Sequence, residues 1–178
     1  MKKRIGRFLV VVTMFLQWPA QAQPGPEPKK TLQHFVCNTG YTVTRCHEEM
    51  MVLRKALANY PATELGEWTW VLVRSEDWRH ILAARRFNPG VPALTVLETR
   101  TTFFEEVLVA GDGVRMSELM DIWHLGREGL LDLAIRHELG HALCNDVDER
   151  NADRVARVLE QQRTTHAVTQ TANPRTQR

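Results

Sequence analysis

The sequence predicts an α+β domain, and three stretches carry that prediction. Trp68 to Val73 (WTWVLV) is aromatic and β-branched between Gly66 and Ser75, which is the composition of a strand. Ala93 to Val109 holds most of the remaining β signal, from ALTVLE to TTFFEEVLV. Arg127 to Cys144 contains no proline, and Leu130, Leu131, Leu133, Ala134, Ile135, Leu139, Ala142 and Leu143 give it an apolar run long enough for roughly four helical turns. A small, mostly antiparallel sheet built from 68–73 and 93–109 and packed on helices is the expected architecture. At 178 residues, 43% hydrophobic and 25% charged, the chain is sized and composed for one globular domain.

Met1 to Ala22 reads as a secretory signal peptide. Lys2, Lys3, Arg4 and Arg7 precede the apolar stretch Phe8 to Leu16, and Ala20-Gln21-Ala22 fits the cleavage site. That stretch is far shorter than the ~20 residues of a membrane span, so no stable anchor is expected after cleavage. The expected location is secreted or periplasmic, with the mature chain starting at Gln23. Without those four basic residues the formal charge of +2 becomes −2, which offers nothing to nucleic acid. Gln23 to Lys30 is a proline-rich lead-in to a domain over 23–162.

Secretion makes disulfides available to Cys37, Cys46 and Cys144. Cys37 and Cys46 flank a turn with short β-like flanks, and a bridge there would staple the N-terminal segment to the next helix. Cys144 is the odd one, a buried thiol or a partner for either of the others. Glu48 to Asn59 predicts a helix stopped by Pro61. Ser75 is an N-cap candidate for a helix over 76–86, with Trp78, Ile81 and Leu82 on its inner face. His47 and His80 read as surface residues of these helices. Thr102 to Val109 suits a strand, but Thr102 with Glu105 is also a capping box, so helix stays open. Ser117 can cap a short helix over 118–124. Beyond Asp153 a further helix should run to about Gln162, and 163–178 reads as a disordered polar tail.

Within the long helix, His137-Glu138-Leu139-Gly140-His141 spells H-E-x-x-H. Residues four apart stand on one helical face, roughly 6 Å apart along the axis, so both imidazoles can reach one ion. Glu138 beside them can act as a base towards water. A catalytic zinc needs a third protein ligand and an open position. Glu149 follows eight residues after His141, and the intervening chain is ample for a turn back to the metal. Asp146 or Asp148 can cap the helix that Glu149 opens, and both remain alternative ligands together with Asp153. Asp153, one turn beyond Glu149, can accept the second ring N–H of a ligating histidine. Ala152 and Gly140 leave room for two helices to approach closely.

HELGH followed by Glu149-Arg150-Asn151-Ala152-Asp153, an E-x-x-A-D pattern, resembles the gluzincin metallopeptidases. The layout is similar to the small bacterial secreted neutral zinc metallopeptidases. The specific part of the resemblance covers Arg136 to Asp153. The gap from His141 to Glu149 is shorter than in thermolysin-like members. The metzincin extension is absent, because Cys144 and Val147 stand where it requires Gly and His.

The resemblance implies a zincin-like fold with Zn2+ held between two C-terminal helices by His137, His141 and Glu149. It also implies Glu138 as catalytic base, Asp153 as support for a ligand, and a peptide or protein as substrate. In zincins an edge strand above the metal pairs with the substrate backbone, and Thr102 to Val109 is the candidate for it. His124, Tyr60 and His166 have the chemistry of an oxyanion stabiliser. The expected function is therefore a secreted zinc peptidase. Its rivals are a non-catalytic zincin-scaffold binding module and a metal-dependent amidase acting on a non-peptide or cell-wall target.

Overall fold

The computed structural model describes residues 32–111 and 113–172, with the side chains of Thr63 and of residues 165–172 outside that description. The leader expected at 1–22, the lead-in after it and residues 173–178 therefore lie outside the described residues. The chain forms β1 (Gln33–Cys37), α1 (Val43–Leu57), β2 (Trp68–Val73), α2 (Ser75–Arg85), β3 (Ala93–Val96), β4 (Thr101–Glu105), α3 (Val107–Ala110), α4 (Gly113–Trp123), α5 (Arg127–Cys144) and α6 (Glu149–Ala172). The class is α+β, as expected: six helices with one small four-stranded sheet among the described residues.

The sheet is not mostly antiparallel. Its order is β1-β2-β4-β3, with β1 parallel to β2, β2 parallel to β4, and only β3 antiparallel to β4. The connections explain the correction. A parallel neighbour needs a long crossover, and α1 supplies one between β1 and β2. Only β3 and β4 are joined by a short link, the 3₁₀ turn Leu97–Thr99, and they alone pair as a hairpin does. β1 is the short β-like flank before the disulfide, recruited as a strand by its register with β2, from Gln33 opposite Trp68 to Cys37 opposite Leu72.

Alternation along β2 distributes the core. Trp68, Trp70 and Leu72 face α1 and α5, joining Leu53, Phe104, Ile135 and Leu139 in the main cluster. Val73 and the half-buried Val71 point to the other face, where α2 lays Trp78 and Leu82. Full burial of each such side chain is worth roughly 1.5–3 kcal/mol.

Helix starts depart from the sequence reading in instructive ways. α1 begins at Val43, not Glu48, because the Thr42 hydroxyl accepts from the Arg45 N–H at 3.2 Å and caps it. Ser75 does not cap α2. The backbone N–H groups of Arg74 and Ser75 are taken by Asn38 Oδ1 (3.2 Å) and Glu106 Oε1 (3.1 Å), from segments far away in sequence. The ambiguous Thr102–Val109 stretch divides into a strand and a short helix. α4 begins at Gly113, so Ser117 lies inside it. α6 continues past Gln162 to Ala172, so helix occupies part of the tail expected to be disordered.

Cys37 and Cys46 form a disulfide, which ties the end of β1 to the first turn of α1. Cys144 is exposed and unpaired.

Candidate metal centre

α5 runs as the sequence predicts, from Arg127 to Cys144. It buries Leu130, Ala134, Ile135, Leu139 and Ala142 against the sheet and neighbouring helices. Asn145 ends it in the left-handed conformation at φ 50°, one of the few residue types that adopts this without glycine. The turn that follows is held by Asp146, whose Oδ1 accepts from the Asp148 N–H (3.0 Å) and Oδ2 from the Asn151 amide (2.6 Å). Asp148 Oδ1 accepts from the Arg150 N–H at 2.9 Å and so caps α6, one of the two N-cap assignments the sequence allows. Glu149 is the first residue of α6, and its carboxylate reaches the two histidines of α5.

Two small residues set the separation of these helices. A Cβ placed on Gly140 would lie 2.5 Å from the Ala152 carbonyl oxygen and 2.7 Å from its Cα, so only glycine fits there. Arg136, buried between the helices, donates to Asp132 Oδ2 (3.0 Å) on α5, and to Ala156 O (3.2 Å) and Glu160 Oε2 (3.0 Å) on α6. Asp132 also pairs with Arg163 and accepts from the Tyr60 hydroxyl.

The result is a convergence of His137, His141 and Glu149. His137 Nε2 lies 3.2 Å from His141 Nε2 and 2.9 Å from Glu149 Oε2, and His141 Nε2 lies 3.6 Å from the same carboxylate oxygen. The other ring nitrogens are already engaged. His141 Nδ1 donates to the Asp146 carbonyl at 2.8 Å, and His137 Nδ1 to Asp153 Oδ1 at 3.1 Å. In the tautomer that carries its one proton on Nδ1, each ring turns the Nε2 lone pair towards the other ring and towards a carboxylate. Three electron-rich atoms this close repel one another unless a cation or a shared proton lies among them. Ligand atoms from these three residues lie within 4.8 Å of one another, and the set could hold a metal ion. Two imidazoles and a carboxylate suit a first-row divalent cation such as zinc.

Glu138 sits beside this cluster, only 5% exposed, and its Oε2 has no hydrogen-bond partner among the described residues. Burial pushes its carboxyl up to about 7, against the opposing influence of Thr95 and His141. An unpartnered buried oxygen facing a cleft is the arrangement expected of a group that meets a polar ligand there.

That cleft has a volume of ≈ 570 Å³, and His137, Glu138, His141 and Glu149 are part of its lining. The rest of its lining is largely apolar and includes Leu94 of β3, Leu133 of α5, Trp123 of α4, and Phe87, Val91 and Pro92. Thr95 lines it too, its hydroxyl 3.5 Å from the Glu138 carbonyl oxygen and 2.9 Å from the Thr102 hydroxyl. The strand beside the site is thus β3. Of Thr102–Val109, the edge strand expected from the sequence, the strand part belongs to β4, which is flanked by β2 and β3 and has no free edge, and the rest enters α3.

Of the suggested oxyanion groups, Tyr60 is committed to Asp132 and His124 is exposed, and neither lines the cleft. The side chain of His166 lies outside the described residues. Sequence reading missed Thr95 and the Asp146 carbonyl. A threonine in a strand carries no positional signal, and a backbone acceptor carries none at all.

No protein-family model matches the chain, and no curated protein or solved structure matches it significantly. Among the described residues no helix is long and apolar enough to cross a membrane.

Proposed function

We propose that this chain is a secreted, zincin-like metallopeptidase that holds Zn2+ between α5 and α6 through His137, His141 and Glu149. The observation that carries this reading is the convergence of three lone-pair donors beside a buried, unpartnered carboxylate in an open cleft. A partner-binding module would have no need of that carboxylate.

Zinc bound there would supply Lewis-acid polarisation of a substrate carbonyl and of water. The protein's own residues do the rest. Glu138 takes a proton from the attacking water and returns it to the leaving nitrogen, for which a carboxyl poised near neutrality is suited. Asp153 and the Asp146 carbonyl fix the ring orientations of His137 and His141.

β3 presents the substrate. The Glu105 N–H donates to the Pro92 carbonyl at 2.9 Å, so the alternation of an antiparallel ladder turns the backbone groups of Ala93 and Thr95 towards the free side. A peptide laid there would be held by main-chain hydrogen bonds with its carbonyl near Glu138.

The test is a comparison of purified mature variants. Glu138→Gln should keep one zinc per chain by elemental analysis and lose peptide cleavage by about 10²–10⁴-fold. Glu149→Ala should weaken zinc binding measured against a competing chelator. Glu138→Gln with wild-type activity would overturn the mechanism.

A further inference from the structure

A line of polar side chains runs from the core of the sheet to Glu138. Thr95 of β3 stands opposite Thr102 of β4 in their antiparallel pair, and the two Oγ1 atoms are 2.9 Å apart. From β2, the Trp68 Nε1–H donates to Thr102 Oγ1 at 3.1 Å. An indole N–H can only donate, so Thr102 is the acceptor in that bond. Trp68 is itself fixed: its side chain is buried, and the Arg100 guanidinium lies 5.2 Å from its ring centroid.

The one hydroxyl proton of Thr102 must then go elsewhere. Thr102 is fully buried, and a buried hydroxyl proton needs an acceptor. The Thr95 oxygen stands beside it, so Thr102 donates to Thr95, and the Thr95 proton is turned away from the sheet. Glu138 is what that proton meets. The Glu138 carbonyl oxygen lies 3.5 Å from Thr95 Oγ1, and the Thr95 hydroxyl also hydrogen-bonds to the Glu138 carboxyl. The carbonyl already serves as an acceptor within helix α5, whereas the ionised carboxyl gains a charge-assisted bond and has the stronger claim. A hydroxyl whose oxygen accepts from a neighbour is polarised and donates more strongly.

We propose that Thr95 is a positioning residue for Glu138, its hydroxyl oriented by Trp68 and Thr102 so that the carboxyl is held in one rotamer with Oε2 left to the cleft. Oε2 has no hydrogen-bond partner among the described residues, and the terminal torsion of a glutamate is intrinsically broad, so the Thr95 side sets it. Threonine suits the task because its branched Cβ restricts χ1 and fixes the place of Oγ1. The catalytic part of this inference rests on the peptidase reading above: a carboxyl that exchanges a proton with water works only when aimed at it. The contact between Thr95 and Glu138 does not depend on that reading.

The experiment compares Thr95→Val, which keeps the branched shape and removes the hydroxyl, with Thr95→Ser, which keeps the hydroxyl. In zinc-loaded protein Thr95→Val should lower kcat for a peptide by about tenfold or more while KM stays within about twofold. Thr95→Ser should recover most of that loss, and Thr95→Ala, a second variant without the hydroxyl, should behave as Thr95→Val does.

A double-mutant cycle on metal-free protein separates this inference from the hydrolase reading. Glu138→Met removes both acceptor oxygens at similar length. In urea titrations the effects of Thr95→Val and Glu138→Met on the unfolding constant should depart from multiplicativity by at least about threefold. Thr95→Ser should retain the coupling to Glu138. Coupling in a protein that cleaves no peptide would uphold the contact and sink the peptidase. Multiplicative effects in the cycle, wild-type kcat in Thr95→Val, or equal loss in the valine and serine variants would overturn the positioning role.

Discussion

His137 and His141 owe their usefulness to what their Nδ1 atoms do. Each Nδ1 is directed at an oxygen, so each Nε2 is left beside the Glu149 carboxylate with its lone pair available to an ion. Asp153→Ala should release the His137 ring and lower zinc affinity by about 10–100-fold, measured by chelator competition. Unchanged affinity would show that the ring is held by packing alone.

Glu138 gives a second residue-level prediction, for chelated protein. Its carboxyl is raised by burial from the ordinary 4.5 to about 7, so between those values the folded chain keeps a proton that the unfolded chain has released. Stability must then fall as pH rises through that window. Chelated Glu138→Gln should exceed wild type in stability at pH 8 by on the order of 1–3 kcal/mol, with the difference closing near pH 4.5 in urea titrations. At this scale the sequence was informative where helical spacing carried the signal, as for His137, Glu138 and His141. It was silent on Thr95 and the Asp146 carbonyl, whose roles arise from a strand crossing above a helix and from a turn.

Between elements, the decisive contact is Gly140 against Ala152. Alanine ordinarily stabilises a helix interior relative to glycine, and Gly129→Ala in the same helix should do so by about 0.5 kcal/mol, since its Cβ would meet only the Leu125 side chain at 3.6 Å. Gly140→Ala should reverse the sign and cost about 2 kcal/mol or more, because the obstacle is backbone. It should also weaken zinc binding by moving Glu149 with α6. Thermal denaturation of both variants, with and without zinc, checks each part.

Helix α5 was legible from its apolar run, but the sheet's pairing was not. Strand direction depends on what connects the strands, and reading β1 as a mere flank of the disulfide hid the crossover that makes the pairing parallel. The helix-against-strand ambiguity of Thr102–Val109 was real, and the chain resolves it by using each half differently.

For the molecule as a whole, the disulfide closes a short loop between Cys37 and Cys46 at the edge of the sheet farthest from the site. In the loop-entropy description its reduction should lower stability by about 2–3 kcal/mol, and Cys37→Ala/Cys46→Ala should do the same under oxidising conditions. Cleavage by the folded fraction should be unaffected. Denaturant titrations with and without reductant, with Cys144→Ser as control, measure it.

Among the described residues no strand pairs with the outer side of β3. An unpaired strand edge accepts a second copy of its own chain as readily as a foreign peptide, and such pairing is a route to aggregation. β3 spans only Ala93–Val96, with Pro92 before it and a 3₁₀ turn after it. Those interruptions leave too short a ladder for self-association to propagate, so an edge can stay open without endangering solubility.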